Sequence, residues 1–282
     1  MRVSDGRLSP GGQRVAANHD DAGAFYAPPV ATHQPRQFAL SIESSNPSAT
    51  GGGAAGGPGV AAARIDTAER GWVLADAPLS EPLRSGPGRE DDLMPAIGRL
   101  MKRIGAASSE IALVAVSVGP GGFTALRVAV SIVKILSFAT GAACVGVPTA
   151  CVVARRARAG LAPFAVLLAG KGDSAFATVF GPVEHAALTG EEPLEVPHGR
   201  IVLAADIEGL GVRSIVADRF VPEAILATAE RLGISRTMPE YDAAACLELG
   251  LRLPPVSADV LAPIYPREPE AVVKWRQLHP GS

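Results

Sequence analysis

The chain has 282 residues and sets 26 Lys and Arg against 28 Asp and Glu, for a net charge of -2; it is 48% hydrophobic and 19% charged. That length allows one large domain or two small ones, with a core that needs no covalent staples. The near-neutral balance excludes a protein that holds nucleic acid by its own field, and 5% aromatic residues argue against a stacking platform for single strands.

Residues 1–36 are rich in Gly, Pro, Asp and Arg, show no periodicity and lack the compact apolar stretch of a signal peptide. They read as a disordered tail or as sequence upstream of the true start. An apolar run at 37–42 predicts a first strand, ending at Glu43. The Ser/Gly/Ala-rich stretch 44–59 reads as a flexible loop. Strands are predicted at 60–65 and 72–77 around a turn at Arg70 and Gly71, which makes the opening an antiparallel meander. Leu93, Ile97, Leu100, Met101 and Ile104 recur at helical spacing and predict a helix over 89–104. Asp91 and Asp92 fall in its first turn and Lys102 and Arg103 in its last, as the helix dipole favours, and Gly105 ends it. Residues 111–118 read as a buried strand stopped by Gly119 and Pro120, 123–139 as a helix ending near Gly141, and 143–147 as a strand leading to a new helix at Pro148.

The second half begins in the same way. Strands at 164–168 and 175–180 flank a loop at Gly170, Lys171, Gly172 and Asp173. Gln-Phe-Ala-Leu at 37–40 and Pro-Phe-Ala-Val at 163–166 open similar strand–loop–strand units. Strands at 201–204 and 214–217 and helices at 222–232 and 242–251 continue an alternating pattern. This order points to a duplicated α/β fold of the ribonuclease-H-like kind in two small subdomains, 37–158 and 159–282.

Cys144, Cys151 and Cys246 have neither disulfide-framework nor zinc-site spacing and read as buried hydrophobes in a reducing compartment. Residues 135–154 carry no charge and precede Arg155, Arg156 and Arg158, so their length would suit a membrane span. Gly141, Gly146 and Pro148 instead divide the run into a helix end, a strand and a new helix. His19, His33, His185, His198 and His279 form no metal-ligand pair; His185 and His198 read as loop or surface residues.

The most specific stretch is Val-Gly-Pro-Gly-Gly-Phe-Thr-Ala-Leu-Arg at 118–127. A buried strand meets a tight Gly/Pro loop and then a helix, a junction whose free N–H groups can cradle a phosphate. It lacks the Lys-Ser/Thr of a P-loop. Thr124 stands where a dinucleotide fingerprint has its third glycine, and no acidic residue lies between Phe123 and Pro163. The plainer reading is a strand–helix turn in which glycines permit close packing. The helix that follows is apolar nearly all round, with Arg127 and Lys134 its only charges, so something must cover it on more than one side.

This stretch resembles the Gly-Pro-Gly-Ser-Phe-Thr-Gly-Leu-Arg signature of the TsaB family, accessory proteins of bacterial tRNA threonylcarbamoyladenosine biosynthesis. Phe-Ala-Leu-Ser-Ile-Glu-Ser-Ser at 38–45 resembles that family's opening strand, Leu-Met-Pro-Ala-Ile at 93–97 its Leu-Leu-Pro-x-Ile helix, and Pro-Ile-Tyr-Pro-Arg at 263–267, with Trp275 beyond, its Pro-x-Tyr-x-Arg. The resemblance implies the actin-like ATPase fold and a non-catalytic subunit that binds and stabilises a TsaD-like threonylcarbamoyltransferase. It also implies a TsaE-like ATPase as a further partner, a second copy as an alternative one, tRNA contact only through the complex, no membrane, and a place in the cytoplasm.

By the same resemblance Leu93, Ile97, Phe123, Leu126, Arg127, Val130, Val133 and Lys134 are the expected partner-binding residues. Glu43, Gly119, Gly121 and Gly122 mark a degenerate nucleotide site with at most weak ATP or ADP binding. No catalytic residue, metal ligand or required cofactor is expected. Gly122 and Ala125 replace the family's usual Ser and Gly, and Glu43 replaces the Asp that holds the metal–phosphate unit in active relatives; a hard cation is sensitive to that extra methylene. The family's Asp-Ala-Arg-x-Gly-Glu-Val-Tyr hairpin survives only as Ala-Gly-Lys-Gly-Asp-Ser-Ala-Phe at 169–176. The rival reading is a stand-alone actin-like ATPase or kinase holding nucleotide at Glu43 and the glycine loop.

Overall fold

The computed structural model describes residues 37–46, 57–69, 71–84, 92–158, 160–266 and 270–279. The predicted tail at 1–36, most of the predicted loop at 44–59, and Asp91 at the start of the first predicted helix lie outside these residues.

The first sheet has the order β3-β2-β1-β5-β6, with β4 also on β2. Its strands are β1 (Phe38–Glu43), β2 (Gly59–Ala68), β3 (Gly71–Leu74), β4 (Leu79–Pro82), β5 (Ile111–Gly119) and β6 (Ala143–Pro148). β1, β2 and β3 form the expected antiparallel meander, whereas β1–β5 and β5–β6 are parallel. The second sheet has the order β11-β10-β7-β8-β9, from β7 (Phe164–Ala169), β8 (Ala175–Phe180), β9 (Gly199–Val202), β10 (Ser214–Ala217) and β11 (Ser235–Thr237). Here too a three-strand antiparallel meander is followed by two parallel additions beside its first strand. The topology is thus repeated, and the two Phe-Ala sequences open the equivalent strands β1 and β7.

The helices are α1 (Leu93–Ile104), α2 (Phe123–Thr140), α3 (Thr149–Arg156), α4 (Pro182–Ala187), α5 (Glu223–Arg231), α6 (Ala243–Gly250) and α7 (Glu270–Leu278). Strand parity sorts the core into layers, because alternate side chains face opposite sides of a sheet. In β1, Leu40 and Ile42 face α1 and α2, whereas Ala39 faces the middle of the molecule. In β7, Phe164, Val166 and Leu168 face the middle, and Ala165 and Leu167 face α5 on the outside. α3 and α6 occupy the middle layer, between the two sheets. Strands covered on both faces read as unbroken apolar runs, and every residue of β5 is buried.

α6 comes from the C-terminal half, yet it packs on the first sheet: the Ser41 hydroxyl donates to the Ala243 carbonyl at 2.6 Å. At its other end a Cβ on Gly250 would lie 2.5 Å from the Ala115 methyl, so this close approach requires glycine there. The segment beyond α6 also returns to the first sheet, through Val256 N–H to Cys144 O at 2.9 Å and Ile264 N–H to Val118 O at 2.7 Å.

The uncharged run 135–154 divides into the end of α2, β6 and α3. α2 is the one helix among the described residues long and apolar enough to cross a membrane by length and composition. α1 starts at Leu93, later than the predicted 89, and Asp92 stands at its N-cap without capping it. Its carboxylate instead takes both amino groups of Arg99, at 2.9 and 2.7 Å, and Arg99 also reaches Glu81 of β4 at 2.7 Å. Arg99 holds the Asp92 carboxyl down to about 2. The three cysteines are free and buried, as expected; burial pushes the Cys151 thiol up to about 12. His185 is not a loop residue: it lies in α4, edge-on to Phe164 with ring centroids 5.2 Å apart.

Candidate functional site

Two regions carry the residues expected to function. The first lies where the parallel strands β1, β5 and β6 end, the edge at which open α/β sheets bind ligands. Glu43 closes β1 and Gly119 closes β5. Glu43 is fully buried. Its Oε1 accepts the Ser45 backbone N–H at 2.7 Å and the Ser45 hydroxyl at 2.5 Å, and Oε2 has no hydrogen-bond partner among the described residues. Burial pushes this carboxyl above its ordinary range, against the hydrogen bonds from Ser45 and Ser117; the Asp242 carboxylate adds to the rise. A carboxyl in that setting favours the neutral form, which suits a cation poorly.

The glycine loop is brought beside Glu43, as expected, but it closes on the chain itself. The Gly122 N–H donates to the Ser45 carbonyl at 2.7 Å. A Cβ on Gly121 would lie 2.3 Å from that same oxygen, so backbone packs on backbone. Gly119 has φ +100, a conformation that L residues rarely adopt. The N–H that would meet a phosphate is therefore already used. Beside Gly119 and Pro120 lies a cavity of about 230 Å³, lined also by Cys151, Phe176, Thr178 and His198. This is smaller than the roughly 300–1,000 Å³ of common ligand pockets.

Sequence reasoning missed the polar groups that face this edge from the other sheet. Asp218 follows β10 and is buried. Its Oδ2 accepts Asn46 Nδ2 at 2.6 Å and the Tyr241 hydroxyl at 3.1 Å, and its Oδ1 accepts the Phe220 N–H at 2.9 Å. Burial, first of all, pushes the Tyr241 hydroxyl well above its ordinary value. Asp242 caps α6 by accepting the Ala244 N–H at 2.8 Å and is paired with Arg156 of α3. Only Asp242, placed just before an apolar helix, left an N-cap signal; the other partners are distant in sequence. Ser117 was noted beside the loop without a base; its hydroxyl pairs with that of Thr149 at 2.8 Å. Among the described residues no group of three or more His, Cys, Asp and Glu side chains could hold a metal ion.

The second region is the outer face of α1 and α2, where the expected contact residues need correction. Leu93, Ile97, Leu126, Val130 and Val133 all lie in the core of this chain. Their regular spacing marks the side that packs on the sheet, so they cannot be offered to a partner. Lys134 is half-buried and donates to the Asp259 carbonyl at 3.2 Å. Phe123 is exposed, as expected, with the Arg127 guanidinium 5.0 Å from its ring centroid and Tyr265 at 5.5 Å. The remaining exposed apolar groups are Met94 on α1 and Val128, Ile135 and Phe138 on α2, Phe138 being 93% exposed.

The sequence model of the family described as TsaD, tRNA N6-adenosine threonylcarbamoyltransferase, matches residues 88–187. That segment holds α1, β5, the glycine loop, α2, β6, α3, β7 and β8. A search of curated protein sequences finds no match. Among solved structures the chain is similar to an uncharacterized Pseudomonas aeruginosa protein with similarity to peptidase YEAZ, at 16% identity and TM-score 0.58, covering 82% of this chain and 100% of that one. It is similar also to YeaZ from Pseudomonas aeruginosa, at 18% identity and TM-score 0.53, covering 81% of this chain and 99% of that one. The architecture is that of the duplicated, actin-like ATPase class, as the repeated strand order requires. Within that class the likeness is to YeaZ, the TsaB-type fold, as the sequence resemblance implies.

Proposed function

We propose that this chain is a non-catalytic subunit of the tRNA threonylcarbamoyladenosine machinery that binds and stabilises a TsaD-like transferase. The observation that carries the reading is the exposed apolar stripe of Phe123, Val128, Ile135 and Phe138 on α2, within the segment matched by the TsaD family. Soluble proteins rarely leave such a stripe without a partner. A TsaE-like ATPase would join the same assembly, and a second copy of the chain could occupy the stripe when the transferase is absent. tRNA would be held by the complex rather than by this near-neutral subunit, in the cytoplasm and without a membrane. The closed glycine loop and the buried Glu43 support a subunit whose ATP or ADP binding is weak at most.

The test is co-purification with the TsaD-like transferase of the same cell. The wild-type chain should retain it, and Phe138→Asp or Ile135→Asp should lose it while remaining folded. Undiminished retention by both variants would sink the reading. The second reading, a stand-alone ATPase or kinase, is favoured only by the position of Glu43 and the loop at the ends of β1 and β5. Calorimetry with ATP and magnesium decides it, because tight binding with turnover by the isolated chain would replace the subunit reading.

A further inference from the structure

We infer that the C-terminal helix α7 is an intramolecular cover for the exposed stripe of α2. Two unmatched apolar surfaces lie on the same tether. On α2, Phe123, Val128, Ile135 and Phe138 share the flank opposite the buried Leu126, Ala129, Val130 and Val133, and Arg127 is the only charge there. On α7, Trp275 is 51% and Leu278 77% exposed. Three residues apart, these two share one helix face.

The tether is anchored at one end of the stripe. Ile264 is fixed to the end of β5 by its hydrogen bond to Val118, and the next residue, Tyr265, lies against Phe123 at the N-terminus of α2. That contact is the first contact of the cover, already made. Phe138 stands 15 positions beyond Phe123, about 22 Å along the helix axis. Residues 266–269 can span about 13 Å, and the nine residues of α7 add about 13 Å. Trp275 and Leu278 can therefore reach Val128, Ile135 and Phe138 without moving anything before Tyr265. The cover occupies the face proposed for the partner, so partner and α7 would compete for it. The inference requires only the stripe and the tether, and its test needs no transferase.

Trp72 and Trp275 are the two tryptophans, so Trp72→Phe leaves Trp275 as the sole reporter. With α7 seated, Trp275 emission is blue-shifted and shielded from acrylamide. Adding Phe138→Asp should shift emission to the red and raise quenching, and removing residues 267–282 should increase dye binding to the exposed stripe. The shielding should persist unchanged on dilution. Identical, solvent-like Trp275 emission with and without Phe138→Asp would overturn the inference. Shielding that vanishes on dilution would also overturn it, assigning the stripe to a second copy. Should Trp72→Phe perturb the fold, fluorine NMR of the otherwise native chain labelled with 5-fluorotryptophan reads the same two outcomes. Loss of transferase binding with α7 still seated would count against the proposed function alone.

Discussion

The backbone N–H of Gly122 donates to the carbonyl of Ser45 at 2.7 Å, and that bond joins the glycine loop to the end of β1. The loop is built as a phosphate cradle is built, from a buried strand, a turn and a helix start. Its donor nevertheless points at the protein's own backbone. The glycines here answer to packing between two loops more than to a ligand.

Gly121 tests this packing. Alanine there places a Cβ 2.3 Å from the Ser45 oxygen, so the loops must separate. We expect Gly121→Ala to destabilise the chain by about 1–3 kcal/mol, measured as a lower melting temperature by calorimetry. Gly98 provides the control. It lies on the exposed side of α1 with nothing within 4 Å of an added Cβ, so Gly98→Ala should stabilise by about 0.5–1 kcal/mol.

Glu43 makes stability depend on pH in a direction opposite to that of paired carboxylates. Its folded pKa is raised from 4.5, so the folded chain holds a proton that the unfolded chain has released. Stability linked to this group is fully present below about 4.5 and is lost as pH rises through the folded value. Denaturant midpoints of the wild type should fall across that window, and Glu43→Gln should remove this part of the slope. A wild type and variant with parallel profiles above pH 4.5 would contradict the assignment.

Asp92 supplies the opposite sign. Arg99 lowers its pKa from 3.8 to about 2, so its contribution is present above 3.8 and is lost as pH falls toward 2. Asp92→Asn should therefore lose stability at neutral pH and show a shallower acid limb in a circular-dichroism titration.

Position on α2 should separate binding from folding. Phe138→Asp changes an exposed residue and should leave stability within about 0.5 kcal/mol while weakening partner binding by about tenfold or more. Val133→Asp buries a charge in the core and should abolish soluble expression. Equal losses from the two variants would remove the distinction between stripe and core.

Much of the fold was legible because apolar runs and their punctuation are local. β8 and β10 fall at their predicted limits, 175–180 and 214–217. β4, α4 and β11 have only three to six residues, too few for a period to show. The helix face was misread for a physical reason. The spacing that makes Leu93, Ile97, Leu126, Val130 and Val133 conspicuous is the signature of the side facing a sheet. The exposed Phe123, Ile135 and Phe138 lie off that register. The site was legible only on its β1 and β5 side. Asn46, Asp218 and Tyr241 meet by tertiary folding alone, across 172 and 195 positions.

The return of α6 to the first sheet has a mechanical consequence. The two halves repeat one topology, but they are stitched: the chain leaves the first sheet, builds the second, and comes back to fill the space between them. Cleavage in the connection near residues 157–163 would leave two fragments still clasped through α6, and neither half could swing away without tearing out the shared interior. Such a body is stiff across its middle, which suits a part whose work is to be held against something else.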